Sequence, residues 1–299
     1  MDDYHIPVLL NESVDLLNIR PSGIYVDVTY GAGGHSRPIL TQLSAEGHLY
    51  AFDQDEDAWH NRIEDARFTL IPANFRYFRN YLRLEGVTGV DGILADLGVS
   101  SHQLDVPERG FAFRFDSRLD MRMNAGMEVT AADILNSYDE QDLTRIFSDF
   151  GEVRNSKTLA AAIVRKRSVH AFRTTGDLND TIEQCVIGHR GKYFAQVYQA
   201  IRIEVNDEMG ALQDLLRGGL KMLKKGGRFV VISYHSIEDR LVKNFFKTGN
   251  FEGKMIQDHF GNIDRPFRII NKNVIEASEP EQKRNPRARS AKLRAVEKI

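Results

Sequence analysis

Three carboxylates in this 299-residue chain sit where an α/β sheet does its chemistry. A β-branched run over residues 24–28 carries Asp27, and a glycine turn follows it with Gly31, Gly33 and Gly34, then His35 and Ser36. Twenty residues past Gly33 a second apolar run, Leu49-Tyr50-Ala51-Phe52, ends in Asp53, and a third over residues 91–95 ends at Asp96. Strand, glycine turn, helix, strand and acid is the order by which such a sheet holds an adenosine-bearing ligand. Gly31 and Gly33 let the backbone turn tightly and approach the ligand where a Cβ would collide. The second acid, Asp53, can accept hydrogen bonds from two ribose hydroxyls.

The spacing also discriminates between adenosine ligands. A dinucleotide fingerprint reads Gly-x-Gly-x-x-Gly, and its third glycine falls here on Ser36. Asp27, four residues before Gly31, faces the place where a dinucleotide puts its pyrophosphate, which a carboxylate repels. Beside the ammonium of a methionine moiety the same carboxylate gains about 1–4 kcal/mol, depending on exposure. Asp-x-x-x-Gly-x-Gly therefore favours S-adenosylmethionine and weakens the alternative, an NAD-dependent oxidoreductase.

Elements must bring these acids together. The pattern predicts an opening helix over 7–17, strands over 24–28, 48–53, 68–72 and 91–95, and a helix over 34–45. Phe75 then stands just past the third strand, where it can lie against an adenine. Alternating strands and helices argue for a mostly parallel sheet, whose ligands bind beyond the carboxyl ends of the strands. Asp27, Asp53, Phe75 and Asp96 all fall on that edge. Residues 107–206 lack a convincing strand and carry helical stripes, such as Leu143, Ile146, Phe147 and Phe150, and a third helix in this stretch capped by Thr175. They read as an all-helical insertion into a discontinuous domain formed by 1–106 and 207–299. A long amphipathic helix from Met209 to Leu223, a strand over 228–233 and a helix opened by a Ser236–Asp239 capping box complete the sheet domain.

Composition bounds the partners. Hydrophobic content of 42% and charged content of 27% are ordinary for a globular protein. A net charge of −2 offers no global positive field, so a nucleic acid has to be met by local patches. Residues 265–299 hold ten basic and four acidic side chains, and the insertion adds Arg165-Lys166-Arg167, Arg173, Arg190 and Lys192. The single cysteine, Cys185, excludes an intrachain disulfide and fits a reducing cytoplasm. No apolar h-region follows Met1-Asp2-Asp3, so no signal peptide is expected, and apolar runs such as 229–232 are far too short to span a bilayer. No Cys/His cluster has metal-ligand spacing, so no metal is expected. No heptad seam marks an interface, and a homodimer is left open.

Eight ordered blocks carry a family resemblance: residues 26–36, 52–55, 96–105, 108–111, 119–123, 199–208, 234–240 and 285–294. They include Asp96-Leu97-Gly98-Val99-Ser100-Ser101-His102-Gln103 and Tyr234-His235-Ser236-Ile237-Glu238-Asp239-Arg240. Together they resemble the RsmH (MraW) family of ribosomal RNA small-subunit methyltransferases over essentially the full length. The resemblance implies a class I S-adenosylmethionine-dependent methyltransferase fold, Rossmann-like, with the helical insertion recognising substrate. It implies a cytoplasmic enzyme that methylates the N4 amine of one cytidine in 16S rRNA near the decoding centre. The residues leave free rRNA or an assembled small ribosomal subunit open, and the lack of a global positive charge favours the subunit. Matching motif positions places cofactor contacts on Gly33, Gly34, His35, Asp53, Phe75, Asp96 and Gln103. The loop between Asp53 and Phe75 is shorter than in some relatives, which leaves Phe78 as an alternative to Phe75.

The cytosine amine is a poor nucleophile because its lone pair is delocalised into the ring. An enzyme must extrude the base, orient the amine and stabilise a nitrogen that becomes partly positive. Many amino-methyltransferases do this with Asn/Asp-Pro-Pro-aromatic after the fourth strand. Asp96-Leu97-Gly98-Val99 has neither the prolines nor the aromatic ring. Asp96, Ser100 and Ser101 are therefore expected on the amine side, with His235 and Ser236 as further contacts to the base. A non-catalytic ribosome-assembly RNA-binding protein is the remaining alternative.

Overall fold

The computed structural model describes residues 7–257 and 265–299. Seven strands form one sheet: β1 Ile24–Asp27, β2 His48–Phe52, β3 Phe68–Ile71, β4 Val90–Asp96, β5 Leu223–Ser233, β6 Phe267–Ile269 and β7 Lys292–Lys298. The helices are α1 Leu10–Leu17, α2 Ser36–Gln42, α3 Glu56–Trp59, α4 Phe78–Leu84, α5 Ser101–Asp105, α6 Ala131–Ser137, α7 Glu140–Asp149, α8 Ser156–Arg167, α9 Thr175–Glu183, α10 Arg190–Asn206, α11 Glu208–Met222, α12 Ser236–Thr248 and α13 Glu279–Arg284. Among the described residues no helix is long and apolar enough to cross a membrane.

The sheet order is β3-β2-β1-β4-β5-β7-β6. The first five strands pair in parallel, while β7 pairs antiparallel with both β5 and β6. This is the class I methyltransferase fold. The order reverses between β1 and β4, and in such sheets the crevice at the reversal receives the ligand. Both faces are buried, so successive strand residues enter different cores. Tyr25, Leu49, Ala51, Leu94, Val230 and Ile232 pack on one side, and Val26, Tyr50, Phe52, Ile93, Phe229 and Val231 on the other.

The chain divides into two compact units, one made of the residues up to Gly98 with Met209–Ile299, the other of Val99–Glu208. The second unit has its own core, in which Leu143, Ile146, Phe147, Leu159, Ile163, Leu178, Phe194 and Ile201 are fully buried. Its described residues contain no strand, only an isolated bridge between Arg118 and Thr174. A loop crossing is clamped by Asn206, which accepts from the Met123 amide at 2.7 Å and donates to the Met121 carbonyl at 2.8 Å. Arg109 donates to the Arg122 and Met123 carbonyls of the same crossing. Gly110 has φ +71° there, and a Cβ on it would lie 2.4 Å from the Arg118 carbonyl oxygen. Three of the eight resemblance blocks, 108–111, 119–123 and 199–208, thus meet at this crossing.

Two helix starts differ from expectation by one residue. Thr174 caps α9, with Asp177 closing the box, and His235 caps α12. In both cases the expected cap is the first helical residue instead, because an N-cap must lie outside the helix in extended backbone. The strands β6 and β7 and the short α13 carry only weak periodic signals: β6 has three residues, and the alternation in β7 covers Lys292-Leu293-Arg294-Ala295 before Val296 breaks it.

A carboxylate rim at the ends of four strands

All of the candidate residues from Asp27 to Asp96, with His235 and Ser236, belong to the sheet unit. Asp27 pairs in register with Ala51 on β2 and Leu94 on β4, so Asp53 and Asp96 each stand two residues beyond those partners. Beyond β1 the chain turns through Gly31 and Gly33, both left-handed at φ +54° and +77°. A Cβ on Gly33 would lie 2.9 Å from the Tyr30 hydroxyl, and one on Gly34 would lie 2.4 Å from Pro7. These two glycines are required by the protein's own packing. At Gly31, by contrast, no atom lies within 4 Å of the Cβ position. The turn therefore leaves open space in front of Gly31 that an incoming ligand can occupy at backbone distance.

Asp53 faces that turn. Its carboxylate accepts from the Gly31 amide at 2.8 Å and from the Asp55 amide at 2.9 Å. It stays half-buried, and burial, opposed by those two amides, pushes its carboxyl up to about 6. Free lone pairs remain for hydroxyl donors from a ligand. Asp27 has a different part from the one expected of it. Its carboxylate is enclosed beneath the turn, where it accepts from the Thr29 amide at 3.1 Å and the Ser36 hydroxyl at 2.7 Å. Those two bonds brace the turn from inside.

Asp96 ends β4. Its amide donates to the Thr29 hydroxyl at 2.7 Å, so Thr29 links the ends of β1 and β4. Its carboxylate accepts from the Tyr234 hydroxyl at 2.7 Å and lies 3.7 Å from His35 Nδ1. Burial pushes the Asp96 carboxyl above the ordinary carboxylate range, against the opposing pull of His35 and the Tyr234 hydroxyl. The Tyr234 hydroxyl itself is driven well up by burial and by the Asp96 charge. Tyr234 follows β5 directly and was not among the expected site residues. Its signals in the sequence are that it opens the block 234–240 and stands one residue past the end of the strand that neighbours β4.

The remaining candidates divide. His35 is buried, with Nε2 3.1 Å from the Val8 carbonyl oxygen, so it ties the segment before α1 to Asp96. Phe75 is half-buried just past β3, in a short 3-10 turn over Phe75–Tyr77. Phe78, the alternative aromatic, is fully enclosed in the core and packs edge-on against Phe52 at 6.4 Å between centroids, which leaves it no face for a ligand. His235 is turned inward as a helix cap, with Nδ1 accepting from the Glu238 amide at 3.4 Å and Nε2 3.2 Å from the Glu238 carboxylate. Ser236 is exposed at the first position of α12. Ser100, Ser101 and Gln103 belong to the helical unit. There Ser100 and Gln103 close a capping box on α5 at 3.1 and 3.0 Å, which engages the Ser100 hydroxyl and the Gln103 amide oxygen locally. Ser101 is the first residue of α5.

Glycines that keep a space open, a carboxylate facing it and a second carboxylate across the strand reversal line the crevice where such sheets take a ligand. Comparison with known proteins identifies the family. A protein of Phocaeicola vulgatus named ribosomal RNA small subunit methyltransferase H is 57% identical over 296 residues, covering 99% of this chain and 97% of its own. Proteins of the same name from Parabacteroides distasonis and Flavobacterium johnsoniae are 56% and 54% identical over 298 residues each, covering 99% of this chain and 98% of their own. The family model described as the MraW methylase family matches residues 2–299. With the class I sheet, the carboxylate rim and a match along nearly the whole chain in agreement, this protein belongs to the MraW methylase family.

Proposed function

We propose that this protein transfers a methyl group from S-adenosylmethionine to the N4 amine of a cytidine in 16S rRNA, near the decoding centre of the small ribosomal subunit. The observation that carries the reading is the Asp96–Tyr234 pair at the β4–β5 end, 2.7 Å apart, beside a glycine turn with open space at Gly31. S-adenosylmethionine, when bound, supplies a methyl group activated by its sulfonium. Gly31 admits the ligand at backbone distance, Asp53 accepts from its ribose hydroxyls, and Phe75 offers an apolar face to the adenine.

Asp96 does the work on the acceptor. A carboxylate hydrogen-bonded to an exocyclic amine orients its lone pair and favours the partly positive nitrogen of the transition state. Burial raises the basicity of Asp96, which suits it to take the amine proton as the new N–C bond forms. The Tyr234 hydroxyl fixes the carboxylate's orientation by holding one of its oxygens. The ring of Tyr234 also stands in for the aromatic residue that the Asp96-Leu97-Gly98-Val99 turn lacks. The helical unit recognises the RNA around the target base.

Labelling with methyl-tritiated cofactor tests the reading, on protein-free 16S rRNA and on intact small subunits, followed by nucleoside mass spectrometry. N4-methylcytidine is the expected product. Label at carbon 5 or on a ribose would overturn the assignment to the amine. Binding of NAD in place of S-adenosylmethionine, read by calorimetry, would overturn the methyltransferase reading itself.

A further inference from the structure

Residues 283–294 contain six basic side chains and no acid. Two of the six are used internally. Arg294 forms a two-point pair with Asp239 at 2.7 and 3.0 Å, and Lys292 lies 3.9 Å from the same carboxylate. Lys283, Arg284 and Arg289 are exposed, and among the described residues none of the three is ion-paired. The backbone beneath them is held in place. The end of α13 runs into a 3-10 turn over Pro286–Ser290, where the Asn285 side chain accepts from the Arg287 amide. Ala288 and Ala291 are fully buried and pin that turn to the sheet unit.

Register places this turn at the site. β7 runs antiparallel to β5, and its first residue, Lys292, pairs with Ser233, the residue before Tyr234. The basic turn therefore leads into the sheet at the carboxyl end of β5. A second path agrees: Glu281 accepts from the Leu9 amide at 2.8 Å, and the neighbouring Val8 carbonyl meets His35, which faces Asp96. A base presented to Asp96 brings its own phosphates within reach of whatever lies beside Tyr234.

We infer that Lys283, Arg284 and Arg289 form a phosphate-binding turn that grips the RNA backbone flanking the target nucleotide. This rests on the proposed function, since it names the surface through which that site takes its substrate. Three exposed cations on a rigid turn suit a phosphodiester chain, whose binding is driven by counterion release and carries no sequence information.

The test is a K283Q/R284Q/R289Q variant, compared with wild type for binding to protein-free 16S rRNA over a salt series. The expected result is a log–log salt slope shallower by about 2, from roughly 0.7 per single-strand phosphate contact, and RNA affinity lower by about tenfold or more. The Km for RNA should rise while S-adenosylmethionine affinity stays the same. A K283R/R284K/R289K variant, which keeps the charge, should restore the slope and serves if the neutral variant is unstable. A K221Q/K225Q control removes exposed charge near the start of β5, at the opposite edge of the sheet, and should leave the slope unchanged. An unchanged slope in the triple variant, with wild type active, would overturn the inference and leave the enzyme reading intact. Weakened binding to subunits only, with naked RNA binding unaltered, would also overturn it, in favour of a protein contact. A wild type that neither binds nor methylates RNA would remove the proposed function instead.

Discussion

The two halves of the strand rim hold their acids by different means. At β1 and β2, Asp53 is gripped by backbone amides, from Gly31 and from Asp55 two residues on. At β4 and β5, Asp96 is held by side chains that come from far along the chain: Tyr234, 138 residues away, and His35 before α2. Amide clamping leaves a carboxylate half-open and able to accept more donors, which suits binding. Side-chain clamping sets one carboxylate's direction and basicity, which suits chemistry. Under the proposed function the rim has a holding end at Asp53 and a reacting end at Asp96, and substitutions should separate them.

The largest effect is expected at the reacting end. Asp96→Ala should cut kcat by about a thousandfold or more, because it removes the amine's acceptor, while the protein stays folded with a thermal midpoint lowered by loss of the Tyr234 hydrogen bond. Single-turnover methylation beside calorimetry checks this, and near-normal turnover would end the distinction. Tyr234→Phe keeps the ring and removes the hydroxyl. A hydrogen bond to a charged group contributes about 1.5–3 kcal/mol, so kcat should fall about tenfold to a hundredfold with little change in either Km. The pH–rate profile should shift at the same time, since the Asp96 carboxyl loses a donor that opposes its rise. Equal losses in Km and kcat would make Tyr234 a general support.

The holding end should respond to pH. The Asp53 carboxyl titrates at about 6, above its ordinary value, so the charged acceptor is present above pH 6 and is lost as pH falls through it. Cofactor binding that needs the charged form should weaken about tenfold between pH 7.5 and pH 5. Asp53→Asn should bind more weakly at neutral pH and show no such slope. A wild-type affinity flat across that range would separate Asp53 from the ligand.

The smallest contrast lies between two glycines of one turn. Gly31→Ala and Gly33→Ala both force a side chain into the left-handed region, at about 1–2 kcal/mol each. Only at Gly33 does the new Cβ meet protein, the Tyr30 ring edge and hydroxyl. Gly33→Ala should therefore lower the thermal midpoint more, and Gly31→Ala should weaken cofactor binding more than it lowers stability. Differential scanning calorimetry with and without ligand separates the two. Equal behaviour would show that the space at Gly31 is not where the ligand enters.

Much of the holding end was legible in the chain itself. Glycine spacing, β-branched runs and the acid after each run are local signals, and they foretell β1, β2, β4 and the turn between β1 and α2. The helical stripes around Leu143 and Ile163 foretell a separate all-α stretch, because an amphipathic helix shows its buried face at a spacing of three and four residues. Long matching blocks pointed to the family before any geometry was known. The reacting end was legible only in part. Asp96 could be named from its strand, but the partner that orients it could not. Ser100 and Gln103 are expected site residues, and that they also close a helix cap within their own unit is a contact only the structure shows. Phe75 and Phe78 were indistinguishable as letters, and packing alone separated them, by burying Phe78 against Phe52.

Local spacing in the chain therefore identifies which strands carry acids, where the backbone must turn through glycine, and which family the chain resembles. Each of these depends on neighbours within a few residues, where spacing translates directly into geometry. Tertiary structure alone decided that Tyr234 holds Asp96, that Asp27 lies inside the turn, and that the basic run at 283–289 enters the sheet beside Ser233. Those contacts depend on strand order and register, which join residues separated by tens to hundreds of positions, and no local spacing encodes which strand ends will stand side by side.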